Sequence, residues 1–579
     1  MSGVRNWIWT KGEIGMATGM ADIPHDKQWV GAPEKKLTGA FVGVGLVAML
    51  LGFLLGPPQA LNYAGIDIYD YLPLSSYYQG LTLHGVLMAL VFTSFFIGGL
   101  LLYLPAREMN LKPHMGLGWI AFWMMTIGTV MAGIAMITDT STVLYTLYPP
   151  MEGHWSFYLG LALVVVATLI IAAMVLMMWR TWKGLNPGRP TPIVTYMSVI
   201  TWLMWAIASV GLAVGVVGLL LPWSLGWMDG VDPALFRTLF WYTGHPIVYF
   251  WLLPAYVVWY AVVPAQAGGK LVSDPMARLV FLLFLLFSIP TGFHHQYADP
   301  GIPDMWKLVH NVTTMFVAIP SLITAFTVAA SLENAGRARG GSGWFGWIGV
   351  LPWKNPGFTA AVLAMVTFIF GGAGGIILAS FNLNLMVHNT AFIPGHFHIT
   401  VGTAVTMTFM GAAFWLLPQL TDKPLRSVKS ALVSVWLWFI GMMIFALGMH
   451  WQGILGVPRR AHISDMQPEL FETYAHALFP GYLTGIGGML LLISGLLFFW
   501  SLARTLMGPR DPENVEPLRF ADTVSGPYDA SGQPKRTVQI MDRLGWWLLL
   551  AVLLIVVAYA PTIMDKVLGW QAVPGFQLW

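Results

Sequence analysis

Apolar stretches long enough to cross a bilayer as helix, about 20 residues, recur along the whole sequence. They lie at 37–57, 80–105, 117–138, 155–179, 193–221, 235–264, 276–293, 306–331, 357–378, 397–418, 430–449, 481–503 and 544–564. Most turns between them are short and polar. The pattern predicts an all-α fold, a polytopic transmembrane bundle of about 13 spans. One long polar connection, 504–543, carries Pro, Gly and Asp and reads as a cytoplasmic linker within a single membrane domain, 37–565. A cytoplasmic tail at 1–36 and an outer tail at 566–579 flank that domain.

Basic residues set the orientation, because Lys and Arg collect on the cytoplasmic side. Arg5, Lys11, Lys27, Lys35 and Lys36 precede the first run. Arg107, Lys112, Arg180, Lys183, Arg189, Lys270, Arg337, Arg339, Lys354, Lys423, Arg426 and Lys429 then fall in every second connection, and the 504–543 linker continues the series. The N-terminus is therefore expected inside and the C-terminus outside, which requires an odd number of spans. No cleavable signal is expected ahead of the first span, since the leading tail is long and polar.

Composition agrees and narrows the chemistry. The chain is 57% hydrophobic and 9% charged, which excludes an ordinary soluble domain. The net charge of +3 follows from the topology, so no nucleic-acid partner is read from it. With no cysteine, the chain has no disulfide, thiolate metal site, iron–sulfur cluster or CxxCH haem attachment. Any metal must be held by His or oxygen ligands.

No Asp or Glu falls inside an apolar run, whereas His84, His245, His294, His310 and His398 lie inside runs or at their edges. Ionisable residues at such places are usually functional. With the orientation above, His84, His245, His294, His295, His396 and His398 converge on the outer half of the bilayer. Imidazole is the commonest metal ligand open to a cysteine-free chain.

Residues two apart on a helix point about 200° apart, so His396 and His398 face opposite sides of one span. His398 and His84 can grip one haem iron from both faces, and His396 can hold a second haem from one face, leaving a position open. Taken alone, the motif is equally a helix start with two interfacial histidines. His294 and His295, adjacent at a helix end, can join His245 as three neutral imidazoles with a vacant position, which suits copper. Tyr249 follows His245 at i+4 and shares its face. Tyr256 and Tyr260 continue that face inward, and Ser321 and Thr324 share one face of the eighth span at its cytoplasmic half, a set that can carry protons or simply join helices. Arg459 and Arg460 break the positive-inside pattern in an outer loop, where haem propionates are fitting partners; a plain basic loop is the alternative. His388 can sit near a propionate or an exit path. His25, His114, His154, His450, His462 and His476 receive no ligand role.

The segments "WYTGHPIVYFWLLPAY", "FHHQYADPGI", "IPSLITAFTVAAS", "HNTAFIPGHFH" and "VPRR", in that order, resemble subunit I of the haem-copper terminal oxidases. Within that group they are most similar to the B family. The resemblance implies a cytochrome c oxidase that reduces dioxygen to water with four electrons, coupled to proton uptake and pumping. It implies His84 and His398 on a low-spin haem of the b type, His396 on a high-spin haem of the a type, and copper on His245, His294 and His295. It further implies a covalent His245–Tyr249 bond, Tyr249 as donor of a proton and an electron, Tyr256, Tyr260, Ser321 and Thr324 as the single proton-uptake path, and Arg459 and Arg460 at the propionates. The expected location is the inner membrane of a prokaryote, in contact with lipid. Because this chain has no cysteine, the dinuclear copper entry centre must belong to a subunit II. The donor would be cytochrome c or a similar periplasmic carrier, and small membrane subunits can join.

Departures from relatives matter. Ile247 stands where A-family oxidases carry an acid, "AREMNLKPH" offers only Glu108 where they have an Asp entry motif, and Asn384 stands where an Asp is expected near a propionate. Two rivals compete with the oxidase reading. A nitric oxide reductase needs an intramembrane Glu beside its metal, and a transporter needs midplane ion sites and broken helices.

Overall fold

The structure, a computed structural model, describes residues 31–466 and 472–577. Arg5, Lys11, His25 and Lys27, with most of the expected 1–36 tail, lie outside the described residues. Among the described residues, twelve helices are long and apolar enough to cross a membrane. In chain order, with one shorter helix between the sixth and seventh of them, they are α1 Ala32–Tyr63, α2 Tyr77–Met109, α3 Met115–Ile137, α4 Trp155–Leu185, α5 Ile193–Ser224, α6 Pro233–Gln266, α7 Asp274–Phe287, α8 Asp304–Ala338, α9 Pro356–Ala379, α10 Phe392–Thr421, α11 Val428–Ile454, α12 Ala475–Leu506 and α13 Leu544–Leu568.

Each expected apolar run has its helix, with one difference. The run 276–293 yields only the 14 helical residues of α7, about 21 Å at the helical rise. Pro290 cannot continue the ladder, and the chain passes instead into a short 3₁₀ turn at Gly292–Gln296. The tail boundary also shifts: α1 already begins at Ala32, with Pro33 in its first turn, where a missing N–H costs nothing.

Local sequence explains the other ends. Ser76 accepts from the Gln79 amide at 3.1 Å to start α2. The Asp232 carboxylate accepts from Ala234 and Leu235 to start α6, and Asn355 accepts from Phe358 to start α9. Small residues set close crossings: α3 and α4 meet at Gly128 and Gly160, where a Cβ on either would run into the other's carbonyl.

Burial ranks the helices. The apolar windows of α10, α6 and α2 are 89%, 83% and 72% buried, against 28% for α13 and 33% for α8. The three helices that carry most of the candidate histidines are thus the innermost, and the rest shield them from lipid.

The 504–543 connection is docked rather than loose. Strand β1, Leu271–Ser273, pairs in parallel with β2, Thr523–Ser525, and the Ala521 amide donates to the Ala261 carbonyl at 2.7 Å. Asp542 pairs with Lys183 at 2.6 Å, close to the buried Arg278–Asp274 pair. At the other end of the bundle, the segment after α13 bridges Val573 to Val231 and Phe576 to Met151.

Candidate haem-copper site

His245 occupies a break in α6. The helix runs to Gly244 and restarts at Pro246, whose ring removes the amide that would bond the Tyr242 carbonyl. The break turns the imidazole toward the 3₁₀ turn carrying His294 and His295. One nitrogen from each of the three lies within 4.8 Å of the others, and His245 Nδ1 is 3.2 Å from His295 Nε2. Thr314 on α8 donates its hydroxyl proton to the His310 carbonyl at 2.5 Å. It can therefore only accept from His294 Nδ1–H at 3.0 Å, which leaves His294 Nε2 free for a metal. Three neutral nitrogens with no carboxylate in the group fit copper.

His84 and His398 face each other from α2 and α10. Their ring planes differ by 9° and their centroids are 6.1 Å apart. Two imidazoles whose nitrogens each lie about 2 Å from one metal between them put their ring centres roughly 6 Å apart. Both Nδ1 atoms are tied to carbonyls, His84 to Gly52 at 2.8 Å and His398 to Pro394 at 2.7 Å. A carbonyl only accepts, so both protons sit on Nδ1 and both Nε2 lone pairs are free. The donor set fits a six-coordinate haem.

The same local device follows each of these histidines. The α-helix holding His84 passes into a π turn at Val86–Phe92, and that holding His398 into one at Thr400–Val405. The Thr403 hydroxyl donates five residues back to the His398 carbonyl at 3.1 Å. Such wide turns shift helix phase and are frequent at functional sites.

His396 points to the other side of α10, against the glycine-rich face of α9. A Cβ on Gly374 would come within 3.1 Å of His396 Nδ1, and one on Gly375 within 3.4 Å of Cε1. The bare face thus admits the imidazole, and Gly371, Gly372 and Gly375 line the cavity beside it. All six histidines, Tyr249, Arg459 and Arg460 line one cavity of about 960 Å³.

Tyr249 stands 4.8 Å from His245, ring centre to ring centre, and His245 Nε2 is buried without a partner. Farther along α6, Tyr256 donates to Ser321 at 3.3 Å and Tyr260 to Thr324 at 2.9 Å. Ser321 lines the cavity, so the expected hydroxyl set is assembled and touches the site at one end.

The two arginines differ. Arg459 Nη2 donates to Asn389 Oδ1 at 2.7 Å; burial, and then the adjacent Arg460 charge, lower its pKa to about 10. Arg460 lies over the Tyr145 ring at 4.9 Å with Nε and Nη2 buried and unpartnered. Buried guanidinium donors without an acceptor call for an anion in the cavity, and haem propionates meet that need. His388 bonds Asn384 Oδ1 at 3.1 Å, beside the His294–His295 turn, because Asn384 also donates to the His294 carbonyl at 3.4 Å.

Sequence reasoning overlooked Trp241, which stacks on His295 at 3.8 Å and 7°. It lies four residues before His245, a spacing that puts the two on one face. Thr314 and the glycines of α9 were also overlooked, although Thr314 follows His310 at i+4 and "GGAGG" stands out inside an apolar run.

A family profile described as "Cytochrome C and Quinol oxidase polypeptide I" matches residues 36–512. The chain belongs to this family. It is 54% identical over 556 residues to cytochrome c oxidase subunit 1 of Thermus thermophilus, spanning 94% of this chain and 97% of that one. Ubiquinol oxidase subunit 1 of Acetobacter aceti is 25% identical, over 76% of this chain and 67% of that one. A solved haem-copper terminal oxidase dimer superposes with a TM-score of 0.89 at 36% identity, covering 95% of each chain. The chain is thus a catalytic subunit of the haem-copper terminal oxidases, and haem and copper are the cofactors of that family.

Proposed function

We propose that this chain is the oxygen-reducing subunit of a cytochrome c oxidase in which His245, His294 and His295 hold copper, His396 a high-spin haem of the a type, and His84 and His398 a low-spin haem of the b type. One observation carries the reading: the opposed His84–His398 pair and the three-histidine cluster open onto a single cavity. When bound, these groups supply one-electron carriers and a centre where dioxygen is reduced to water.

The chain's own residues orient, insulate and deliver protons. Gly52 and Pro394 carbonyls fix the tautomers of His84 and His398. Thr314 fixes that of His294. Tyr249 offers its phenolic proton at the cavity wall, and the partnerless Nε2 of His245 faces the task of a covalent link to that ring. Protons reach Tyr249 from the opposite end of the bundle through Thr324, Tyr260, Ser321 and Tyr256. Arg459 and Arg460 balance propionate charge. Glu108 is no open entry to a second path, because it accepts from the Val194 and Thr195 amides at 3.0 and 2.6 Å and caps α5.

The proposed setting is the inner membrane of a prokaryote, thirteen spans with the N-terminus inside, and the histidine-rich end facing out. A subunit II carries the dinuclear copper that a cysteine-free chain cannot hold, and receives electrons from cytochrome c. Identity favours that donor, since 54% with a cytochrome c oxidase exceeds 25% with a ubiquinol oxidase.

Metal and haem analysis of the purified complex, with a reduced-minus-oxidised spectrum, tests the assignment. Two haems and one copper in this chain, with oxygen uptake driven by reduced cytochrome c, are expected. Non-haem iron in place of copper would move the chain to nitric oxide reduction, and a preparation without a Soret band would end the reading.

A further inference from the structure

The helix α13 lies outside the residues matched by the family profile, which end at 512, and most of its surface faces outward. Its inward face nevertheless carries a phenol, Tyr559, that is 1% exposed. The ring alone would suffice to anchor the helix. Its hydroxyl does more: the Gly292 amide donates to Tyr559 Oη at 3.1 Å, and Oη donates to the Ile289 carbonyl at 3.0 Å. Both partners belong to the turn that presents His294 and His295.

His310 of α8, fully buried, closes the same loop from the other side. The Phe293 amide donates to its Nδ1 at 3.2 Å. Nδ1 is therefore the acceptor, Nε2 carries the proton, and Nε2 donates to the Ala558 carbonyl at 3.1 Å, next to Tyr559 in α13. Its ring stacks on Phe293 at 4.0 Å and meets the edge of Tyr559 at 4.8 Å. Gly292 has no space for a side chain, since a Cβ there would strike the Trp241 carbonyl and Tyr559 Oη. The Gly292 and Phe293 amides of this buried turn are thus each satisfied by one side chain, and the Ile289 carbonyl accepts from Tyr559 as well as from the Thr291 amide.

We propose that Tyr559 and His310 are positioning residues for the copper centre, and that α13 serves as a strut that holds the His294–His295 turn in register with His245. The proposal rests on copper at those three histidines, and its test separates the two. Neither side chain touches the metal position. They act through the backbone between Ile289 and Phe293, which aims both ligands.

The test uses the whole complex and three readouts: copper per haem, the infrared band of carbon monoxide transferred to copper by photolysis, and hydrogen exchange of the 289–295 amides. Tyr559→Phe keeps the ring and removes two bonds to the loop. Exchange at Gly292, whose amide loses its acceptor, should rise on the order of five- to tenfold, with the copper band broadened or shifted and the low-spin haem spectrum unchanged. His310→Gln should act likewise, with the rise in exchange at Phe293, whose amide it bonds. Tyr242→Phe is the control, because that phenol packs on Tyr559 but bonds Ile207 instead of the loop. A Tyr559→Phe complex with parental copper content, band and exchange would overturn the strut. Should that variant fail to assemble, the unaltered complex decides: Gly292 and Phe293 must exchange far more slowly than Asp299 and Gly301, and equal rates refute the proposal. Absence of the copper-carbonyl band from the unaltered complex would instead refute the assignment of the centre.

Discussion

The rings of His84 and His398 lie parallel to within 9° across a 6.1 Å gap, and each is held there by a backbone carbonyl rather than by another side chain. The gap is therefore built by helix packing, independently of what fills it. His84→Ala should remove the low-spin haem band while the copper content and the carbon monoxide complex of the other haem persist. Turnover with reduced cytochrome c should fall by on the order of 10²-fold or more, since losing even a residue that only orients a metal ligand costs about 10–100-fold. A normal low-spin spectrum in that variant would show that His84 is not an axial ligand.

Tyr249 should be both linked to His245 and essential. A peptide spanning 245–249 from the active complex should be two hydrogens lighter than its sequence mass, and Tyr249→Phe should restore the full mass for the variant sequence. Oxygen reduction should drop by about 10² or more, the usual range for a positioned proton donor, with both haems retained. Full mass in the active parent would rule out the link.

How much of this could be read from the chain follows from what kind of atom does each job. His84, His245, His294, His295, His396 and His398 stood out because lipid-facing runs leave polar residues with no ordinary role. The apolar runs likewise foretold the helices, since a bilayer demands that length and composition. The shortness of α7 was hidden because the apolar run continues past Pro290 into the turn that carries the histidines. The π turns after His84 and His398 are backbone phase shifts with no residue signature. The Gly52 and Pro394 carbonyls could not be seen as partners, because every residue has a carbonyl. Tyr559 reads as an aromatic in a membrane span, and its bond to Gly292 joins positions 267 residues apart.

Arg460 should raise the potential of the low-spin haem. Its Nε and Nη2 are buried with no acceptor in the protein, so its charge acts on whatever anion the cavity takes in. One unit charge at roughly 8 Å in an effective dielectric of about 20 is worth about 2 kcal/mol, or close to 90 mV for one electron. A positive charge favours the reduced iron, so Arg460→Gln should lower the midpoint potential by an amount of that order. Potentiometric titration of the low-spin band measures it, and an unchanged midpoint would separate Arg460 from the propionates.

The hydroxyl pairs between α6 and α8 should limit proton delivery without shaping the metal site. Tyr260→Phe leaves the ring in place, and Thr324 keeps its bond to the Pro320 carbonyl at 2.8 Å, so the fold should lose only about 1 kcal/mol. Turnover should nevertheless fall by about 10²-fold, the lower end of the range for loss of a positioned proton-transfer group, and proton uptake from the inner side of vesicles should slow in step. Thr324→Val should behave alike, whereas Thr324→Ser retains a hydroxyl and most of the rate. Haem spectra and copper content should stay at parental values in all three, because none of these side chains lies among the candidate ligands. Full turnover in both Tyr260→Phe and Thr324→Val would mean that protons enter elsewhere, and Ser321 and Tyr256 would then be joining helices rather than carrying protons.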